Sequence, residues 1–209
     1  MTPEKIPLGY YTHINFAFAL IDPKTFHIAP MTENTDKMYK SVTQLKTRQR
    51  DLKVWIAIGG WAMNDPGPTR TTFSDLAGSI ENQNTFFESL VTFLVNNNFD
   101  GVDLDWEYPV ADDRGGKPED YQNMVTLMKR LRERLDQTGR HYGISITLVC
   151  RLLSYFRLPA SSRTDKPQPA SYWYLRGFDL NNIEPHVDWF NVMTYDIRES
   201  YIPLFIDNI

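Results

Sequence analysis

The sequence predicts an α/β fold built on a parallel sheet, and three observations predict it. Strand-like apolar runs recur near 10–20, 53–58, 99–106, 143–148 and 187–195. Helical patterns fill the intervals, giving strand–helix units of about 40–47 residues, the arrangement of right-handed crossovers between parallel strands. Each run is mostly apolar rather than alternating, as expected of parallel strands covered on both faces. A chain of 209 residues suffices for one sizeable core.

The first run, Tyr10–Leu20, is followed by a weak helical pattern over 33–49, and the second, Lys53–Ile58, stops at Gly59-Gly60. A helix over 82–97 places Phe86, Leu90, Phe93 and Leu94 together, with Asn97 near its end. The clearest helix covers 118–137. It opens on Pro118-Glu119-Asp120, groups Tyr121, Met124, Met128, Leu131 and Leu135 on one face, and stops before Gly139. Residues 149–168 and 198–209 break the rhythm, since each follows a strand without starting a recognisable helix.

Composition excludes several functions. The formal charge is −4 with no basic run, which argues against a nucleic-acid partner. No apolar stretch is long enough to span a bilayer, so no membrane partner is expected. The N-terminus, Met1-Thr2-Pro3-Glu4-Lys5-Ile6-Pro7, lacks the apolar region of a secretory signal. Cys150 is the single cysteine, which excludes an internal disulfide, and no Cys or His spacing suits a metal. The scattered His13, His27, His141 and His186 read as surface or packing residues. Aromatic residues, at 13%, would suit a groove that stacks flat ligands.

The most informative segment is Phe99-Asp100-Gly101-Val102-Asp103-Leu104-Asp105-Trp106-Glu107-Tyr108-Pro109. Asp103, Asp105 and Glu107 alternate with Val102, Leu104 and Trp106, the two-residue period of a strand. Three acids therefore leave one face, with same-side neighbours about 6.6–7 Å apart. Burying like charges so close is expensive, and at least one group should keep its proton near neutral pH. The competing reading is an edge strand with its acids in water. Large apolar residues on the other face favour an interior strand, whose C-terminal end is where α/β folds place their chemistry.

Asp100-x-x-Asp103-x-Asp105-x-Glu107 resembles the acidic fourth strand of glycoside hydrolase family 18, the chitinases, and most of all the fungal ones. Other segments resemble the family in the same order along the chain. They are His13–Phe18, Ile58-Gly59-Gly60-Trp61, Pro169–Leu175 and Asn191-Val192-Met193-Thr194-Tyr195-Asp196, and Ala57 departs from the Ser of many members. The resemblance covers about 3–148 and 169–197. It implies an incomplete (β/α)₈ TIM barrel holding strands two to six with their helices; a whole barrel takes about 250 residues. The chain as a whole, 1–209, is then a partial catalytic domain. Removing 149–168 would rejoin Leu148 to Pro169 in the family pattern. Val149 needs a GT-initial codon, and Thr164-Asp165 can be encoded with a branch-point-like CTGAC, so this segment is expected to be a retained intron. Arg198-Glu199-Ser200 can encode GTGAGT, a splice donor, so 198–209 is expected to be an aberrant tail.

The resemblance further implies retaining hydrolysis of β-1,4-linked N-acetylglucosamine assisted by the substrate's own acetamido group. Glu107 would be the general acid, Asp105 would orient the acetamido N–H, and Asp103 would share a proton with Asp105. Tyr195 would hold the acetamido carbonyl oxygen, with Met193 and Asp196 lining the same sugar site; plain packing is the other reading of Met193. Gly59 and Gly60 would let their strand lie close beside the acidic one, and Asp100 would shape that strand's start. Trp61, Tyr108 and Trp173 either stack on sugars or pack in the core. The partner implied is chitin or a chito-oligosaccharide, with no cofactor and no metal. The full-length protein is expected to be extracellular and monomeric, and the 209 residues alone unstable and inactive. A non-catalytic chitin-binding lectin on the same fold is the alternative, disfavoured because the acid set is whole.

Overall fold

The computed structural model describes residues 2–149 and 174–194. Tyr195, Asp196, Trp173, Cys150, all but Val149 of the 149–168 segment, and the whole 198–209 tail lie outside the described residues. The elements run β1 (His13–Ile21), β2 (Ile28–Pro30), α1 (Glu33–Thr43), β3 (Lys53–Gly59), α2 (Thr72–Ala77), α3 (Ile80–Asn97), β4 (Gly101–Asp105), α4 (Asp120–Asp136), β5 (Gly143–Val149), α5 (Leu180–Ile183) and β6 (Trp189–Met193). The strands form one sheet in the order β2-β1-β3-β4-β5-β6. All neighbours are parallel except the short β2, which folds back antiparallel on the end of β1. This is the α/β sheet of a partial TIM barrel.

The strands are mostly apolar, as expected, but β1, β4, β5 and β6 also carry polar residues at alternate positions. Val54, Ile56, Ile58, Val102, Leu104, Ile144, Ile146 and Leu148 join the buried core with helix residues Phe86, Leu90, Leu94, Leu127, Met128 and Leu131. The alternate positions carry Asn15, Asp103, Ser145, Thr147 and Asn191, a polar face that the count of apolar residues hid. Tyr121, assigned to the apolar face of α4, is 41% exposed, and Leu127 takes a buried place instead. β2 and α2 have no clear signature in the sequence: one is three residues long, the other six.

The helices start on side-chain caps where the sequence supplies them. The Thr32 and Ser79 hydroxyls accept from the N–H groups of Thr35 and Asn82, opening α1 and α3. Asn98 ends α3 in the left-handed region at φ 58°. α3 and α4 are tied along their outer edges by the Arg134–Glu88 pair and by Arg130, which donates to Gln83 and Asn84.

The strand starts are locked by aspartates. Asp100 Oδ2 accepts from the Val54 N–H and from Lys46 Nζ, both at 2.9 Å, while Oδ1 accepts from Arg140 at 2.8 Å. Asp188 does the same one sheet position on, its Oδ2 accepting from the Ile144 N–H at 2.7 Å. These brackets set β4 against β3 and β6 against β5. Asp100 thus occupies the strand-shaping position expected of it. Above the brackets, Trp55 and Trp189 stack with ring centroids 4.1 Å apart. A Cβ at Gly143 would come within 1.8 Å of the Trp55 ring, so β5 must begin on glycine.

Removing the Asp100 carboxylate takes the partner from two cations, Lys46 and Arg140, and from one buried N–H. Asp100→Ala in the full-length protein should cost about 2–3 kcal/mol, read as a lower urea midpoint at unchanged m-value. An unaltered midpoint would show that the bracket is not what aligns the strands.

Candidate active site

The acidic strand ends in a buried cluster. Asp103, Asp105 and Glu107 are 3%, 7% and 6% exposed, which removes the solvated-edge reading. Asp103 and Asp105 lie within β4, and Glu107 stands two residues beyond its end.

Asp103 is held from the side. Its Oδ1 accepts from Ser145 Oγ at 2.6 Å and Asn191 Nδ2 at 2.9 Å, and its Oδ2 from Thr147 Oγ1 at 2.9 Å. Register explains the reach, because Asp103 pairs with Ser145 across β4–β5 and Thr147 pairs with Asn191 across β5–β6. Three donors from two neighbouring strands thus hold its two oxygens in place. Sequence reasoning did not single out Ser145, Thr147 or Asn191. Their signal was present, as polar residues alternating within apolar runs.

Asp105 sits between two acids. Burial first, then the Glu107 charge and the Asp103 charge, push its carboxyl up to about 8. Its Oδ1 is buried with no hydrogen-bond partner among the described residues. Burial also raises Glu107, against a 2.8 Å bond donated by the Tyr108 hydroxyl to Glu107 Oε2 and the nearby Arg114 charge. Tyr108 is buried and keeps its proton, because desolvation and the adjacent Glu107 push its hydroxyl upward. It stacks on Tyr174 at 4.3 Å, and Tyr174 donates to Asp113 at 2.6 Å.

Neighbouring elements close over this end. Gly59 adopts φ +115°, and a Cβ there would stand 2.2 Å from the Asp105 carbonyl oxygen. The Gly60 N–H donates to that same oxygen at 2.9 Å, so the glycines do let β3 end against β4. Trp61 follows and is 52% exposed, at the mouth of the cluster and edge-on to Tyr108 at 6.5 Å. Met193 ends β6, half-buried and in register with Val149. The loop after β4 is pinned by the fully buried Asp120, which accepts from Ser74 Oγ and from the N–H groups of Val110 and Lys117. Among the described residues no His, Cys, Asp and Glu group could hold a metal ion, and no helix is long and apolar enough to cross a membrane.

The arrangement can donate a proton from Glu107 beside a second carboxyl that stays protonated near neutrality, with both groups buried and the exposed Trp61 indole close by. A model of the glycosyl hydrolases family 18 matches residues 2–203. Chitinase A1 of Niallia circulans is 35% identical over 175 residues, covering 82% of this chain and 21% of that protein. Chitotriosidase-1 of Mus musculus is 28% identical over 198 residues, covering 95% of this chain and 38% of that protein. A mutant of Group II chitinase catalytic domain 2 from Ostrinia furnacalis, in complex with (NAG)5, superposes with a TM-score of 0.75 at 27% identity, over 94% of this chain and 46% of that one. The chain therefore spans less than half the length of each.

The raised Asp105 makes stability depend on pH. The folded state binds this proton more tightly than the unfolded state, whose value is near 3.8. The resulting stabilisation is complete below about pH 4 and is lost as pH rises through about 8. The full-length protein should lose unfolding free energy steadily between those limits in urea titrations. Asp105→Asn, neutral throughout, should flatten the slope; equal slopes in the two proteins would contradict the burial of a shared charge at this position.

Proposed function

The chain belongs to glycosyl hydrolase family 18, and from that premise we propose that the whole protein hydrolyses β-1,4-N-acetylglucosamine linkages in chitin or chito-oligosaccharides, with retention of configuration. The observation that carries the reading is the buried triad on and just beyond β4, with Asp105 pushed up to about 8 between its two neighbours. Relatives named as chitinases support the substrate class.

Glu107 is the general acid. Its proton passes to the glycosidic oxygen as the acetamido carbonyl oxygen of the same sugar attacks the anomeric carbon, so the C–O bond to the leaving sugar breaks while an oxazolinium ring closes. Burial raises the Glu107 carboxyl above its ordinary value, which favours the protonated form the step needs. Asp105 takes the acetamido N–H on a carboxyl oxygen, which a protonated carboxyl still offers as an acceptor. Asp103, held in place by three donors, shares a proton with Asp105 as the positive ring forms. Glu107, now a carboxylate, takes a proton from water as that water opens the ring. Tyr195, Met193 and Asp196 are assigned to the acetamido-binding sugar site and Trp61 to stacking at its rim. Tyr108, which donates to Glu107 Oε2, keeps the acid in its pocket.

We assign the full-length protein to the extracellular space and to a monomeric state. The 209 residues alone should be inactive, because among the described residues the sheet has two edges, β2 and β6, and does not close into a barrel.

Glu107→Gln in the full-length protein should reduce cleavage of a chromogenic chitobioside by at least about 10²–10⁴-fold, while calorimetric binding of chitopentaose persists. A wild-type protein that binds chitopentaose without cleaving it would instead be a lectin.

A further inference from the structure

Arg114 lies in the loop between β4 and α4, well clear of the acidic strand in sequence, yet it is 5% exposed. A buried guanidinium is costly unless its donors are used, and here they are used on the active site's own frame. Nε donates to the Glu107 carbonyl oxygen at 3.1 Å, one terminal nitrogen donates to Asp65 at 2.8 Å, and the other to the Trp61 carbonyl oxygen at 2.5 Å. The guanidinium carbon also stands 3.7 Å from the Trp61 ring centroid. Trp61 would otherwise be an exposed indole at the end of a strand, free to change rotamer.

Resting on the family 18 reading above, we propose that Arg114 is a positioning residue that couples the acid to the rim. One planar side chain fixes the main chain of Glu107 and the tilt of the Trp61 ring together, so that a sugar lying on the indole is in register with the proton donor. The loop supports this joint from behind. Asn64 Nδ2 bridges the carbonyl oxygens of Arg70 and Arg114, and Arg70 donates to the carbonyl oxygens of Asp112 and Asp113. The fork geometry is essential, since a lysine ammonium cannot serve three divergent acceptors and lie flat on an indole at once. Glu107 faces Asp105, the Tyr108 hydroxyl and Arg114, so among the described residues Arg114 is the cation whose charge bears on the acid.

The test compares Arg114→Lys and Arg114→Gln with wild type in the full-length protein, on chito-oligosaccharides and per folded molecule. Both variants should lose on the order of 10²-fold in kcat/KM, with KM raised as well as kcat lowered, because the stacking face and the acid are disturbed together. Arg114→Gln should in addition move the basic limb of the kcat/KM profile to higher pH, since the neighbouring positive charge no longer eases loss of the Glu107 proton; Arg114→Lys should leave that limb in place. A residue that only supports folding would lower Tm and leave both constants and the limb unchanged, and that result overturns the proposal. If Arg114→Gln fails to fold, wild-type kinetics in Arg114→Lys suffice to overturn it. A wild-type protein that cleaves no chito-oligosaccharide defeats the underlying functional reading, and this inference with it.

Discussion

Three carboxyl groups confined to the end of one strand and the two residues beyond it set the terms for everything around them. Like charges at this spacing in a medium of low polarity repel strongly, so the fold must treat each differently. Asp103 is satisfied by three donors from two neighbouring strands. Glu107 is offset by a tyrosine hydroxyl and a nearby guanidinium. Asp105, with one oxygen unpartnered among the described residues, resolves the conflict by holding a proton. The three environments set chemically similar residues apart, and on the proposed reading they make Glu107 the proton donor.

This division of labour requires strand register to be correct to a single residue, because a slip of one turns every side chain to the opposite face. The aspartate brackets at the strand starts supply that accuracy. Asp100 and Asp188 each accept the N–H of the second residue of the preceding strand in the sheet, so β4 is referenced to β3 and β6 to β5. Ser145 then stands opposite Asp103 because both strands begin on paired glycines, Gly101 and Gly143. The energy that fixes the site is thus spent at the far end of the sheet from the chemistry. The functional end is left open, as in barrels whose active sites sit at the C-terminal ends of the strands.

Much of this was legible in the sequence. The period-two acids, the apolar helix face of α4 and the glycine pair each carry a local signature, and the strand order follows from unbroken crossovers. What stayed hidden depends on residues brought together from afar. Ser145, Thr147 and Asn191 look like incidental polar interruptions until register places them around Asp103. β2 is too short to show a period, and it exists only because the end of β1 offers it an edge. Arg114 reads as an ordinary loop charge, and nothing local announces that it will be buried. Tyr195 and Asp196, prominent in the family motif, lie outside the described residues, so their place rests on resemblance alone.

The loop after β4 illustrates why the hidden part matters most for function. Glu107 stands beyond the last ladder pair of β4, so the sheet does not hold it. Its geometry comes instead from Tyr108, from Arg114 and, at one remove, from Asp120, whose buried carboxyl gathers the N–H groups of Val110 and Lys117. A proton donor built this way can be aimed independently of the rigid pair beneath it. On the proposed reading, the strand holds two carboxyl groups at set spacing, and the loop sets the angle at which Glu107 delivers its proton. Changes in the loop can therefore alter which linkages fit without disturbing the charge balance that buried the acids in the first place.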